Sequence, residues 1–179
     1  MNSSRLLISG IESDSYKSIV TLGLVLSLRK RGLSVACAVH QPRLAVSTLL
    51  YRASKRYVRI LDSILLNKEG IFESLSLLTQ GADIVLIDGA KTIFEGKKTD
   101  SFKGSDFYLS ELSKTAILGT LRQVMPIPSI EIFSRAFNDH LKSIVAKSLI
   151  VVESEEADSK SNEKTIAGFL PKGIINDIR

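Results

Sequence analysis

The chain has 179 residues, 44% of them hydrophobic, and this length suits one domain with a sizeable buried core. A net charge of +5 and a pI near 9.3 allow an anionic ligand, but the sequence contains no tryptophan. Nucleic-acid readers usually combine a basic stripe with stacking aromatics, so a nucleic-acid partner is the least favoured class.

Other classes are excluded by simple patterns. The sequence contains no uncharged stretch of 18 apolar residues, so we expect no membrane span and no membrane partner. The start of the chain lacks the long apolar region and cleavage site of a signal peptide, which predicts a cytoplasmic location. Cys37 is the only cysteine, which excludes an intrachain disulfide, and its apolar neighbours predict a core position. His40 and His140 lie too far apart in sequence for metal-ligand spacing.

The first elements alternate strand and helix. Residues 5–9 form a short apolar run that ends at Gly10, and the apolar residues within 18–31 are dense enough for a helix packed on a sheet. Gly32 follows a basic cluster and is a typical C-terminal stop. A second strand is predicted over 33–39, and this spacing favours a parallel sheet.

The later elements extend the same alternation. The predictions are a mostly helical segment (43–80, with an N-cap near Asn67), a buried strand (82–88), a polar loop (97–106), a helix (107–124), a strand (148–152), a charged exposed loop (153–164) and a final strand (165–170). We therefore predict one α/β domain over residues 1–179, with three layers and a mostly parallel sheet flanked by helices, as in P-loop NTPases.

The loop after the first strand has the order of a phosphate-binding loop. Such a loop needs glycines so that backbone N–H groups can wrap phosphate oxygens, a lysine for the β- and γ-phosphates, and a serine or threonine for Mg²⁺. Gly10, Lys17 and Ser18 stand in this order and are the candidate nucleotide-binding residues. Tyr16 takes the position before the lysine, and Glu12 adds a charge that repels phosphate. A polar strand-to-helix turn with a solvated Lys17 is the alternative interpretation.

Two carboxylates follow the strongest predicted strand. Asp88 ends that strand, where a residue that coordinates Mg²⁺ or positions water belongs. We predict Lys17 and Asp88 as catalytic residues, and Ser18 with Asp88 as Mg²⁺ ligands; a simple turn cap at Asp88 is the alternative. Glu95, seven residues later, fits a surface turn better than a catalytic role.

Residues 5–113 resemble the N-terminal synthetase domain of cobyrinic acid a,c-diamide synthases. Relatives of these enzymes are the nickel-sirohydrochlorin diamide synthases and, more distantly, dethiobiotin synthetase and the MinD/ParA ATPases. The resemblance rests on order and spacing: the segments that match the family patterns are 10–24, 30–35, 59–62 and 81–96. The family's glutaminase domain, with its nucleophilic cysteine, has no counterpart in this sequence.

The resemblance implies ATP and Mg²⁺ as cofactors, but five residues depart from the family pattern. Tyr16 and Asp14 replace loop glycines, Val39 replaces a lysine, and Arg43 and Val46 replace two aspartates. In the family, the lysine and the two aspartates at these positions serve substrate and metal binding.

Two functions remain open. One is an ATP-dependent amidoligase that uses ammonia or a separate glutaminase, as the retained Lys17, Ser18 and Asp88 suggest. The other is a non-catalytic relative that acts as an interaction or regulatory module, as a partner of a synthase or of a MinD/ParA-like ATPase. The resemblance also implies a homodimer.

Overall fold

The predicted alternation of strands and helices is present in a computed structural model, which describes residues 3–12, 15–97, 101–122 and 148–152. Within these ranges the elements are β1 (Ser4–Gly10), α1 (Lys17–Lys30), β2 (Val35–Val39), α2 (Leu44–Ser54), β3 (Arg59–Ile60), α3 (Lys68–Thr79), β4 (Ile84–Thr92), α4 (Asp106–Ser113), β5 (Ala116–Arg122) and β6 (Ser148–Val152).

The strands form one sheet in the order β3-β2-β4-β1-β5-β6, and every strand pairing between them is parallel. Parallel neighbours cannot be joined by tight hairpins, so helices cross over the faces of the sheet. This confirms the predicted α/β class with a parallel sheet.

Two apolar clusters show the three layers. On one face, Val25 of α1 and Leu50 of α2 pack against sheet residues such as Cys37 and Leu86. On the other face, helices α3 and α4 cover a second cluster; its largest fully buried side chains are Leu7, Leu61, Ile71, Leu75, Ile87, Ile93, Leu109 and Ile117. Burial on both faces explains why the central strands read as continuous apolar runs. It also confirms the core position of Cys37, whose pKa burial raises to about 11.

One predicted segment was confirmed and another was wrong in part. The segment 43–80 is mostly helical, as predicted, although the short edge strand β3, which was not predicted, separates α2 from α3. The helix predicted over 107–124 ends at Ser113, where Lys114 adopts a left-handed backbone with φ of 52°. Strand β5 then follows and pairs with β1. The apolar run that begins at Ala116 is short, and a short apolar run does not distinguish a buried strand from a helix.

Two predictions about helix ends are confirmed. Asn67 caps α3 as predicted, because its side chain accepts a hydrogen bond from the backbone N–H of Gly70 at 2.9 Å. Gly32 follows α1 with φ of 87°, as a C-terminal stop requires. The predictions for His140, 153–164 and 165–170 fall outside the described residues. In the described part of the chain, no helix has the length and hydrophobicity needed to cross a bilayer.

Candidate functional site

The predicted site residues meet at the carboxyl edge of the sheet, where open α/β sheets bind their ligands. Helix α1 begins at Lys17, directly after the loop that leaves β1 at Gly10. Asp88 lies on β4 beside Ile8 of β1, so the topology brings the loop and the carboxylate together. Strand β4 continues to Thr92, and Asp88 is therefore a residue within the strand rather than a cap of a turn.

Helix α1 presents two hydroxyl groups to Asp88. Ser18 Oγ donates to Asp88 Oδ2 at 3.1 Å, and Thr21 Oγ1 donates to Asp88 Oδ1 at 2.8 Å. The pairing of Ser18 with Asp88 agrees with their predicted proximity. Thr21 was not predicted, although it follows Lys17 by four residues and so lies on the same face of the helix.

A guanidinium group completes this cluster. Arg43, the residue that precedes α2, donates from Nη2 to Ser18 Oγ at 2.6 Å and forms an ion pair with Asp88 Oδ2. Its Nη1 donates to the carbonyl oxygens of Gly89 and Ala90, each at 3.0 Å. Four acceptors from α1 and β4 therefore hold the Nη1 and Nη2 groups of the guanidinium. Arg43 was predicted only as a lost family aspartate, and its side chain takes a defined place in the site.

The charge of Asp88 depends on this contact. The carboxylate is fully buried, and burial raises its pKa above the ordinary value. The positive charge of Arg43 and, less strongly, that of Lys17 act in the opposite direction. A buried carboxylate of this kind requires a cation close by, and Arg43 supplies it within the chain.

The residues as arranged do not fit a Mg²⁺ ion. Mg²⁺ in a phosphate-binding site takes oxygen ligands at about 2.0–2.1 Å in octahedral geometry. The two candidate ligand oxygens, Ser18 Oγ and Asp88 Oδ2, both accept hydrogen bonds from Arg43 Nη2. A second cation in contact with both oxygens would overlap the guanidinium and repel it. Within the described ranges, no group of three or more histidine, cysteine, aspartate or glutamate side chains forms an alternative metal centre.

Tyr16 adopts a strained backbone conformation before Lys17. It has φ of 56° and ψ of 19°, a left-handed conformation, and its side chain makes no cap hydrogen bond to α1. For a residue with a Cβ this conformation costs about 1–2 kcal/mol, whereas glycine adopts it readily. Position 10 still requires glycine, since a Cβ on Gly10 would overlap Ser15 and the carbonyl of Glu12. Ser13 and Asp14 lie outside the described residues.

Two other residues that depart from the family pattern are valines that pack in the core. Val39 is fully buried in the cluster between the sheet and α1, and Val46 packs against the same cluster. Glu95 lies on the surface and forms an ion pair with Lys91, with Oε1 2.6 Å from Nζ, which agrees with the predicted surface position.

A second buried polar cluster, not predicted from sequence, lies next to the site. Asp106 Oδ1 is 2.5 Å from His40 Nδ1, and His40 Nε2 is 2.8 Å from Ser63 Oγ. Asp106 also accepts hydrogen bonds from Ser9 Oγ at 2.5 Å and from the backbone N–H of Ala90 at 2.8 Å. The order of groups resembles a serine–histidine–aspartate triad, but all three side chains are buried to within 1% of full burial. A buried serine is not accessible to a substrate. The cluster instead has a structural role, because its hydrogen bonds connect β1, the end of β2, β4 and α4.

The comparisons with known proteins agree on the relationship and on the fold. No family model matches the chain. A cobyrinate a,c-diamide synthase from Leptospira interrogans is 31% identical over 117 residues, which are 65% of this chain and 26% of that protein. The synthase of the same name from Archaeoglobus fulgidus is 29% identical over 66% of this chain and 26% of its own length. The chain thus spans about a quarter of the length of the curated relatives it matches.

Two solved structures show the fold alone, because their sequence identity is low. Chloroplast FtsY from Physcomitrella patens has a TM-score of 0.55 and 16% identity, and covers 84% of this chain and 50% of its own. The hydrogenase maturation factor HypB from Archaeoglobus fulgidus has a TM-score of 0.52 and 12% identity, and covers 83% of this chain and 65% of its own. The chain therefore has the fold of P-loop NTPases and is related in sequence to part of the cobyrinate a,c-diamide synthases.

Proposed function

We propose that this chain is a non-catalytic relative of the synthase P-loop domain and acts as an interaction or regulatory module. One observation carries the proposal: the Arg43 guanidinium contacts both Ser18 Oγ and Asp88 Oδ2, the two oxygens that a nucleotide-bound Mg²⁺ would need as ligands. The chain neutralises Asp88 with its own side chain and so needs no metal for this purpose.

The energetics support a site that stays closed to MgATP. For Mg²⁺ to reach Ser18 and Asp88, Arg43 would have to leave its four acceptors. Each hydrogen bond of a charged group contributes about 1.5–3 kcal/mol, so this exchange would consume much of the nucleotide's binding energy. The left-handed Tyr16 adds a side chain next to the Lys17 amide, which in a working loop faces phosphate.

The ATP-dependent amidoligase remains the second candidate, because Lys17, Ser18 and Asp88 are retained at one place. In that reaction ATP would phosphorylate a substrate carboxylate, and ammonia would then displace phosphate to form the amide. The chain would need free ammonia or a separate glutaminase, since its single cysteine, Cys37, is buried in the sheet. The substrate would be a tetrapyrrole carboxylate if the relatives' name applies to this chain.

Nucleotide binding and turnover distinguish the two candidates. We expect calorimetric titration of the wild-type chain with MgATP to give no saturable binding in the micromolar range, and a phosphate-release assay to give no turnover. Lys17→Ala is the matched control, because weak binding that survives this change does not involve the P-loop. Binding abolished by Lys17→Ala, or turnover at about 1 s⁻¹ or faster, would favour the amidoligase.

A further inference from the structure

One segment of the chain has basic side chains and no acidic ones. Residues 15–61 contain no aspartate or glutamate, and their basic residues are Lys17, Arg29, Lys30, Arg31, Arg43, Arg52, Lys55, Arg56 and Arg59. This segment forms α1, β2, α2 and β3, which lie together at one end of the sheet order. The exposed basic side chains of this segment therefore favour an anionic partner.

Part of this basic set has a structural role. Arg29 Nη1 donates to the carbonyl oxygen of Ala53 at 2.6 Å and joins the ends of α1 and α2. Arg56 donates to the carbonyl oxygens of Gln80 and Gly81 at 2.5 and 2.8 Å. Such contacts complete helix ends and loops, and they account for these two arginines without a partner.

Arg52, Lys55 and Arg59 are different, because they are exposed and lie within two residues in sequence of side chains that line an apolar groove. The groove, which we call the α2–β3 groove, has a volume of about 320 Å³ and is lined by Ser47, Thr48, Tyr51, Tyr57 and Val58. The rings of Tyr51 and Tyr57 lie 6.0 Å apart between centroids, and Tyr57 is 86% exposed. Tyrosines in such a position offer a large contact area at a low cost in side-chain entropy.

The groove lies beside a sheet edge. Strand β3 is the outermost strand, pairs with β2, and exposes both Arg59 and Ile60. An outermost strand offers backbone N–H and C=O groups on its outer side, and an extended polypeptide can pair with them.

We propose that the α2–β3 groove binds an acidic polypeptide segment that carries an aromatic or aliphatic anchor residue. The anchor packs in the groove against the Tyr51–Tyr57 pair, the acidic side chains face Arg52, Lys55 and Arg59, and the extended backbone lies along β3. The inference rests on the interaction-module role proposed above and gives that module's partner a chemistry.

The charges and the edge strand select this occupant. A second copy docked through the same groove would place like charges opposite one another, which costs several kcal/mol. A nucleic acid would satisfy the charges but has no strand to pair with the β3 backbone, whereas an acidic polypeptide satisfies both features.

A peptide-display selection tests the inference without nucleotide. Short random peptides are selected on the wild-type chain after depletion on a Tyr57→Ser variant, whose exposed change should leave the fold intact. We expect the enriched peptides to be net acidic with at least one aromatic or large aliphatic residue. Enrichment of neutral or basic peptides, or no enrichment, would overturn the inference.

Variants then locate the binding surface. For a selected peptide measured by fluorescence anisotropy, Arg52→Glu with Lys55→Glu should weaken binding by at least about tenfold, and Tyr57→Ser by about fivefold or more. Lys68→Glu is the matched control, because Lys68 lies on α3 at the opposite face of the sheet; it should change binding less than about twofold. Tighter binding of a single-stranded oligonucleotide with the same dependence on the α2–β3 groove would replace the polypeptide with nucleic acid. MgATP turnover would contradict the proposed function and leave this result unaffected.

Discussion

Replacement of Arg43 by alanine tests the central structural claim, that a side chain supplies the cation of this site. The change removes the ion pair with Asp88 and the hydrogen bonds to Ser18, Gly89 and Ala90. Asp88 remains fully buried, and the hydroxyls of Ser18 and Thr21 remain able to donate to it. The variant therefore contains a buried carboxylate that has lost its ion-pair partner, and the weaker influence of Lys17 is the positive charge that remains.

The magnitude follows from the burial of the two partners. Removing one member of a buried ion pair costs about 3–5 kcal/mol, because the other charge stays desolvated. The Arg43 side chain is 24% exposed, so water can replace part of it, and we place the loss at about 3 kcal/mol. For a domain of this size such a loss lowers Tm by roughly 6–12 °C. Arg52→Ala, an exposed arginine in the last turn of α2, is the control and should lower stability by less than about 0.5 kcal/mol.

The same variant should gain affinity for a divalent cation. With Arg43 removed, Asp88 and Ser18 are free to coordinate an ion, and at ten times its Kd the ion would return about 1.4 kcal/mol. We expect Mg²⁺ or Mn²⁺ to raise the Tm of Arg43→Ala and not that of the wild type, and Mn²⁺ electron paramagnetic resonance to detect bound ion in the variant alone. Equal metal responses in the two proteins, or unchanged stability of the variant, would refute the replacement of the metal by Arg43.

The pH dependence of this variant has a definite sign. Burial already raises the pKa of Asp88, and loss of the Arg43 charge, which lowers it, raises the pKa further. A carboxyl whose pKa is higher in the folded than in the unfolded chain stabilises the fold below its unfolded pKa, and this contribution is lost as pH rises through the folded pKa. The stability gap between wild type and Arg43→Ala should therefore be largest at neutral pH and narrow on acidification, as urea denaturation at several pH values would show. A gap that widens in acid would contradict this assignment.

Three further substitutions and one labelling experiment test the rest of the structure. Asp106→Asn should lower the unfolding free energy by about 2–3 kcal/mol in urea titrations, because it disrupts the buried contacts with His40 and its neighbours; a loss below about 0.5 kcal/mol would contradict this. Gly89→Ala should destabilise by at least about 2 kcal/mol in the same assay, since its Cβ would overlap the Asp106 carboxylate and a β1 carbonyl, and a neutral result would mean that β4 shifts freely. Tyr16→Gly should raise the unfolding free energy by up to about 1 kcal/mol, and Tm slightly, because glycine accepts the left-handed conformation. A lower unfolding free energy would show that the tyrosine ring stabilises the loop. Cys37, whose pKa is about 11, should resist iodoacetamide at pH 8 in the native chain and react after unfolding, as mass spectrometry would show; fast native labelling would contradict its burial.

Hydrophobic runs predicted most of the sheet, because strands covered on both faces are apolar along their length. The strands at residues 5–9, 33–39, 82–88 and 148–152 were located to within a few residues. The two missed strands have physical explanations. Strand β3 has two residues, both exposed, so it leaves no apolar signal. Strand β5 follows α4 after Lys114, which has a left-handed backbone. Helices that end in this conformation usually have glycine there, so a lysine gives no sequence signal for the end of the helix.

The site was predictable in position and less so in content. The loop order located Lys17 and Ser18 beside Asp88, because parallel strands place their carboxyl ends at one edge. The role of Arg43 was not predictable, since the sequence shows only that an arginine replaced an aspartate of the family pattern. Where its guanidinium lies depends on the start of α2, the backbone carbonyls after Asp88, and the burial of that carboxylate. These are contacts between segments far apart in sequence.

The substitutions form a consistent set when considered by charge. A metal-dependent site keeps acidic residues near the cation, and this chain instead places Arg43 and Val46 at two aspartate positions. Once Arg43 neutralises Asp88, a further acidic ligand has no cation to bind, and Val46 can pack against the core. Under the proposed function, Tyr16 costs only local backbone strain, because a non-catalytic loop does not have to fit phosphate. Retention of Ser18 and Asp88 therefore does not require catalysis: both residues fix Arg43, and Arg43 anchors α2, whose other face lines the α2–β3 groove.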